Sequence, residues 1–220
     1  MPDSFVIAID GPAASGKSSV SKLLAKRLHC AHVNSGELYR AATWGILEMG
    51  ADPSDCTAAA AAARTLQLDC VARGSSFTTL VNGTDPGAHL RDAAVAAHVS
   101  AVSSVPEVRD ILTALLRRMA QGRNIIMEGR DIGSVVFPET PYKFYIDASE
   151  AVRLSRRHAQ GETDSPLTRD KQDSTRKTAP LKVSLDALVI DSTHLSLEDV
   201  VTQVLHRLET KGLPLPSSGA

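Results

Sequence analysis

Residues 7 to 28, "IAIDGPAASGKSSVSKLLAKRL", decide the fold. Phe5-Val-Ile-Ala-Ile9 is a short, continuous apolar run, the pattern of a strand buried on both faces. Val20, Leu23, Leu24, Ala25 and Leu28 recur at helical spacing, so Lys17 to Leu28 is expected as an amphipathic helix. Between them, Gly11-Pro12-Ala13-Ala14-Ser15-Gly16-Lys17-Ser18, with Ser19 after it, fits G-x-x-x-x-G-K-[ST]. Glycines let the backbone fold tightly, so that successive N–H groups turn inward and cradle phosphate oxygens. The helix that follows adds its positive N-terminus. Lys17 can reach the β- and γ-phosphates as a point charge, and the Ser18 hydroxyl can ligate Mg²⁺. The motif follows a strand and opens a helix, as its physics requires, and it predicts a nucleoside triphosphate bound at residues 11–19.

Outward from this stretch the chain continues as an α/β protein. Ala31-His-Val33 reads as a short strand, and Glu37 to Glu48 as a helix with Leu38, Ala41, Ala42 and Ile46 on one side. Asp52-Pro53 reads as an N-cap followed by proline at the first helical position. The alanines at 58–63 suggest a surface helix made of the best helix former. Leu66-Gln-Leu68 and Phe77 to Val81, with a turn at Asn82-Gly83, predict a small β insert with a hairpin. Leu90 to Gln121 reads as helix interrupted near Pro106. Further strands are expected at Asn124 to Met127, Tyr142 to Ile146 and Ala187 to Ile190. Charged helices are expected at Ala151–Gln160 and Thr168–Lys177, joined by a turn containing Gly161, with a closing helix at Leu197–Leu208. The Pro/Ser-rich tail at 212–220 reads as disordered.

Composition narrows the function classes. The chain has 220 residues, 43% hydrophobic and 22% charged, enough for one domain with a real core. A net charge of −1 argues against a general nucleic-acid or membrane binder, so any phosphate-binding charge must be local. Cys30, Cys56 and Cys70 form no CxxC pair and read as buried thiols in a reducing compartment. The apolar run at residues 5–9 is too short for a signal peptide or a membrane span, and a cytoplasmic protein is expected.

A P-loop serves kinases, switch GTPases and motors. No Asp in this chain has Gly three residues later, which removes the D-x-x-G of a switch GTPase. Arginines at many separated places suit phosphoryl transfer between two bound nucleotides, where two phosphate chains must meet without repulsion. "VNSGELYRAAT", "VSSVPEVRDIL", "IIMEGRDIGSVVFPETPYKFYIDAS", "RDKQDSTRKTAPLK" and "DALVIDSTHLSLEDVV" follow the P-loop in that order. Together these blocks closely resemble the bacterial cytidylate kinases, over residues 5 to 208.

The resemblance implies an α/β nucleoside-monophosphate kinase fold: a central parallel sheet of about five strands flanked by helices, an antiparallel β insert in the acceptor-binding region, and a helical lid. Its core would comprise residues 5–36, 122–150 and 183–208, the acceptor region 37–115, and the lid 153–178. It implies an ATP-dependent kinase acting on CMP or dCMP with Mg²⁺, and working as a monomer. The acceptor phosphate would lie on Arg40 and Arg130 beside Ser35, and the cytosine on Ser100, Arg109 and Asp131. Arg169 and Asp173 would meet the ribose and Arg176 the phosphates. Arg153 and Arg157 would serve ATP as lid arginines. Lys17, Arg130, Asp131 and Arg176 would form the catalytic set. The resemblance implies a role at Mg²⁺ through water for the carboxylate at 128, where family members commonly have Asp and this chain departs with Glu128, which keeps the charge but reaches one methylene further. Another small-molecule kinase, for UMP, AMP or shikimate, is the alternative enzyme, and a nucleotide-dependent switch the alternative outside catalysis.

Overall fold

The computed structural model describes residues 4–159, 166–176 and 178–216. Its centre is a run of parallel strands that begins with β1 (Val6–Asp10). The chain leaves β1 through the glycine turn into α1 (Lys17–Leu28), returns as β2 (Ala31–Asn34), and runs on through α2 (Ser35–Glu48) and α3 (Cys56–Thr65). A hairpin follows, β3 (Leu68–Arg73) and β4 (Ser76–Val81), then α4 (Ala93–Val102) and α5 (Pro106–Ala120). β5 (Ile125–Gly129), β6 (Tyr142–Asp147), α6 (Glu150–Ala159), α7 (Pro166–Thr175), β7 (Leu188–Asp191) and α8 (Leu197–Thr210) complete the chain.

The strand order is β3-β4-β2-β5-β1-β6-β7. The expected five parallel strands are β2, β5, β1, β6 and β7. The insert extends this sheet to seven strands, because β4 joins β2 at His32–Ser76 while β3 pairs antiparallel with β4. β1 is covered on both faces, as its apolar run predicts. Ile7 and Ile9 enter one core with Val20, Leu24 and Leu28 of α1 and Val200, Val204 and Leu208 of α8. Ala8, between them, enters the other with α2, α3 and α5. Alternation along one strand thus feeds two cores.

Several local expectations are corrected. Asp55, not Asp52, caps the helix after residue 50, its side chain accepting from the Thr57 and Ala58 N–H groups, while Asp52 accepts from Ser54 N in a preceding turn. The alanine helix is not a surface helix. Ala59, Ala60, Ala62 and Ala63 are buried in the first core, where the absence of bulk lets α3 lie close to α2 and α5. The hairpin turns at Gly74-Ser75, and Asn82-Gly83 instead makes the following tight turn between Val81 and Thr84. Both of its central residues have positive φ (50° and 80°), as an Asn-Gly turn favours. α2 starts two residues early because the Asn34 side chain caps it, accepting from Glu37 N. Of the cysteines only Cys30 is buried, and Cys56 is exposed. Leu213, inside the stretch read as tail, is buried in the second core. Gly161 and residues 217–220 lie outside the described residues. Among the described residues no helix is long and apolar enough to cross a membrane.

Candidate active site

The carboxyl ends of β1, β2 and β5 open into a cleft of about 600 Å³, a size suited to a small-molecule site. Its floor is the turn from Gly11 to Ser18. Gly11 is obligatory there: φ is 152°, and a Cβ would lie 2.1 Å from the Ile146 carbonyl oxygen. No side chain caps the N-terminus of α1, so its first N–H groups are left for an anion. Lys17 is buried, its Nζ donating to Pro12 O at 2.9 Å. Burial, then repulsion from Arg130, pulls its pKa down to about 7, against the attraction of Glu128 and Asp170. An anion bound on the loop would restore that charge.

The loop is held from outside by residues that spacing did not reveal. Arg156 of α6 donates to Ser15 O at 3.0 Å and to both Ser192 oxygens. Asp170 of α7 accepts from Ala13 N at 2.9 Å and pairs with Arg153, which also donates to Ala13 O and Ala148 O. Arg153 therefore sits behind the loop and outside the cleft wall, whereas Arg157 lines the cleft.

At the end of β5 the chain turns sharply. Gly129 allows the approach of α2: a Cβ there would lie 2.5 Å from Ser35 Oγ, which donates to Glu128 O at 2.8 Å. Asp10, the last residue of β1, accepts from Ile132 N and Gly133 N, both at 2.8 Å. These bonds fix the backbone directly after Asp131. Burial raises the Asp10 pKa to about 6, the two N–H bonds opposing the rise. Asp131 is buried and paired with Arg109 of α5, which also donates to Ser103 O at 3.0 Å and lies over the Tyr39 ring. Burial raises the Asp131 pKa, and the Arg109 and Arg176 charges pull it back only in part.

The remaining wall is basic. Arg130 donates to Asp173 at 3.1 Å, and Arg176 donates to Ser103 Oγ at 3.1 Å and lies 3.7 Å from Asp173. Arg176 Nη2 is buried without a hydrogen-bond partner, a donor facing a place for an acceptor. Burial, chiefly, lowers its pKa. Arg40 donates to Leu90 O at 2.9 Å and, with Ser100 and Arg169, lines the same cleft. Of the residues singled out from the sequence, Gly11, Pro12, Ser15 and Arg153 support the loop, and the rest line the cavity.

Beside Lys17 lies Glu128, only 1% exposed. It accepts from Ser18 Oγ at 2.6 Å and pairs with His32 Nε2 at 3.0 Å. Burial pushes its pKa up, but the His32 bond, the Lys17 charge and the Ser18 bond outweigh it, and the net shift is downward. Asp10, His32, Arg156 and Asp170 were all missed. For Asp10 and His32 a signal existed, since both are polar positions inside buried strands.

The family model for cytidylate kinase matches residues 7–210. A cytidylate kinase of Corynebacterium efficiens is 40% identical, over 95% of this chain and 96% of that protein. One of Limosilactobacillus reuteri is 37% identical, over 90% and 92%. Among solved structures, a sugar kinase from Janibacter covers 94% of this chain and 95% of its own, with a TM-score of 0.51 at 13% identity, a likeness of fold. A P-loop facing a basic wall and a buried Arg–Asp pair, with this match along nearly the whole sequence, leads to one conclusion: the chain belongs to the cytidylate kinase family.

Proposed function

We propose that the protein transfers the γ-phosphate of ATP to CMP or dCMP, giving ADP and CDP or dCDP. The observation that carries this reading is the buried Arg109–Asp131 pair across the cleft from the P-loop. Cytosine offers an amine at position 4 beside acceptors at N3 and O2. Asp131 accepts from the amine and Arg109 donates to the acceptors. Uracil would set O4 against Asp131, and a buried polar group that loses its mate rejects the wrong base strongly.

The transition state is loose, with its charge on phosphoryl oxygens, so positioning and electrostatics supply the rate. Backbone N–H groups of the loop and Lys17 bind the ATP phosphates. Arg40 and Arg130, beside Ser35, hold the acceptor phosphate. Ser100 completes the base contacts, and Arg169 and Asp173 the ribose contacts. Arg176 and Arg157 bring positive charge between the two phosphate chains. α6 and α7 act as a lid that excludes water.

The donor set fits Mg²⁺: Ser18 and Glu128 present oxygen, and among the described residues no three His, Cys, Asp or Glu side chains converge on a metal. Mg²⁺ commonly takes one or two protein oxygens plus substrate phosphates and water. Ser18 would hold it directly and Glu128 through water, and it would neutralise charge on the transferring phosphates. The reading includes a cytoplasmic monomer.

ADP formation from ATP and Mg²⁺, with CMP, dCMP, UMP, AMP, GMP and shikimate in turn, tests the reaction. CMP and dCMP should turn over, and Asp131→Ala should lower kcat/KM for them on the order of 100-fold with ATP binding kept. ATP binding without turnover of any acceptor would overturn the reading.

A further inference from the structure

β2 and β5 bring His32 and Glu128 into a mainly apolar layer beneath α1. In the sheet register His32 lies beside Ile126, and Glu128 beside Asn34 and Ile9. Neighbours in register share a face, so His32 and Glu128 lie on the side of Ile9 and Ile126, the core that α1 covers. His32 is 9% exposed and Glu128 1%. A carboxylate so placed needs both oxygens satisfied. Oε2 accepts from Ser18 Oγ and Oε1 meets His32 Nε2. An ionised carboxylate only accepts, so the His32 hydrogen lies on Nε2.

We propose that His32 is a positioning residue for the donor-side cation: it holds Glu128 against Ser18, so that the Ser18 hydrogen is committed to the carboxylate and the Ser18 oxygen lone pairs face Mg²⁺. The proposal rests on the reading of the P-loop as the ATP site. Its logic starts from the extra methylene of Glu128. A glutamate has one more torsion than an aspartate, and its carboxylate can swing from Ser18 toward the Lys17 charge that also attracts it. His32 removes that freedom by fixing the second oxygen. A serine hydroxyl turns its hydrogen to whichever acceptor is present. With Glu128 fixed, that acceptor is always on the same side, and the oxygen is presented to a cation in one orientation. Outer partners of this kind tune metal affinity without touching the metal.

Mn²⁺ serves as the probe. Its affinity for the complex of the full chain with ADP is read from the electron paramagnetic resonance of free Mn²⁺, for wild type, His32→Leu and His32→Gln. ADP affinity without metal is measured alongside. His32→Leu should weaken Mn²⁺ binding about tenfold and leave metal-free ADP binding unchanged, and His32→Gln, which keeps an N–H donor, should recover most of the loss. Wild-type Mn²⁺ affinity in His32→Leu overturns the proposal, and so does a His32→Gln as weak as His32→Leu. Failure of the wild type to bind ADP would instead overturn the donor-site reading. If the variants do not fold, the wild type still decides. Nitrogen-15 spectra of the His32 ring should show the hydrogen on Nε2 and a shift of that nitrogen when Mg²⁺ joins the ADP complex. A hydrogen on Nδ1, or no response to Mg²⁺, overturns the proposal.

Discussion

The two ends of the cleft are built in opposite ways. The proposed donor end is one continuous stretch, Gly11 to Ser18, and the groups it offers are mainly backbone N–H groups at the mouth of α1. The proposed acceptor end is assembled from side chains on α2, α4, α5, the end of β5 and α7, scattered across more than half of the sequence. Backbone donors come with the local fold and cost no side-chain ordering. Side-chain donors must be held by partners, and the acceptor end accordingly carries ion pairs: Arg109–Asp131, Arg130–Asp173 and Arg176–Asp173. One end answers to local sequence, the other to tertiary packing.

The largest expected effect comes from the donor end. Lys17→Ala should lower kcat on the order of 1000-fold, since it removes the buried cation that the proposed reading sets on the ATP phosphates at the P-loop. CMP affinity, read by calorimetry on the unloaded protein, should be unchanged. If CMP binding falls with kcat, the two ends are not independent and the contrast between them fails.

That contrast also explains what the sequence made legible. β1, the glycine turn and α1 could be read from residues 5–28 alone, because their periodicity and loop chemistry are local. The acceptor residues had no such signal. Arg109 and Asp131 are 22 positions apart, and nothing in their spacing announces a pair; the resemblance of whole blocks to a known family placed them in the site. Where the only signal was a polar residue inside a buried strand, its partner went unread, because that partner lies far along the chain. His32 meets Glu128 across 96 positions, and Asp10 meets Ile132 across 122. The alanines of α3 failed differently: alanine is a good helix former in either environment, so only α2 and α5 packing on it decide that it is buried.

Asp10 sharpens the comparison because it belongs to both ends. It directly precedes Gly11, yet its carboxylate holds Ile132 and Gly133 next to Asp131, the proposed base contact. Its folded pKa lies at about 6, above the ordinary 3.8, so the folded state holds this proton more tightly than the unfolded chain does. Its contribution therefore falls as pH rises through that window and is flat above it, by up to about 3 kcal/mol in all. Wild-type stability relative to Asp10→Asn, from urea melts at each pH, should decline between about pH 4 and pH 6. A difference that rises over this range would reverse the assignment. In the same variant KM for CMP should rise more than KM for ATP. An equal rise in both would mean that Asp10 serves the P-loop as much as the acceptor end.

The smallest effect tests whether packing far from the cleft reaches the acceptor end alone. Ala59 is fully buried in the core that α3 shares with α2 and α5, the helix that carries Arg109, while Ala61 on the same helix is exposed. Ala59→Leu overpacks the core between α3 and its neighbours α2 and α5 and should cost about 1–3 kcal/mol, whereas Ala61→Leu should stay within about 0.5 kcal/mol. Displacement of α5 moves Arg109 against Asp131, whose following residues Ile132 and Gly133 are held by Asp10 of β1. KM for CMP should therefore rise in Ala59→Leu with KM for ATP unchanged, because among the described residues none of α3 or α5 belongs to the apolar core that β1 shares with α1 and α8. A parallel rise in KM for ATP would mean that the two cores respond as one body. The acceptor end would then be sensitive to packing only because the whole fold is.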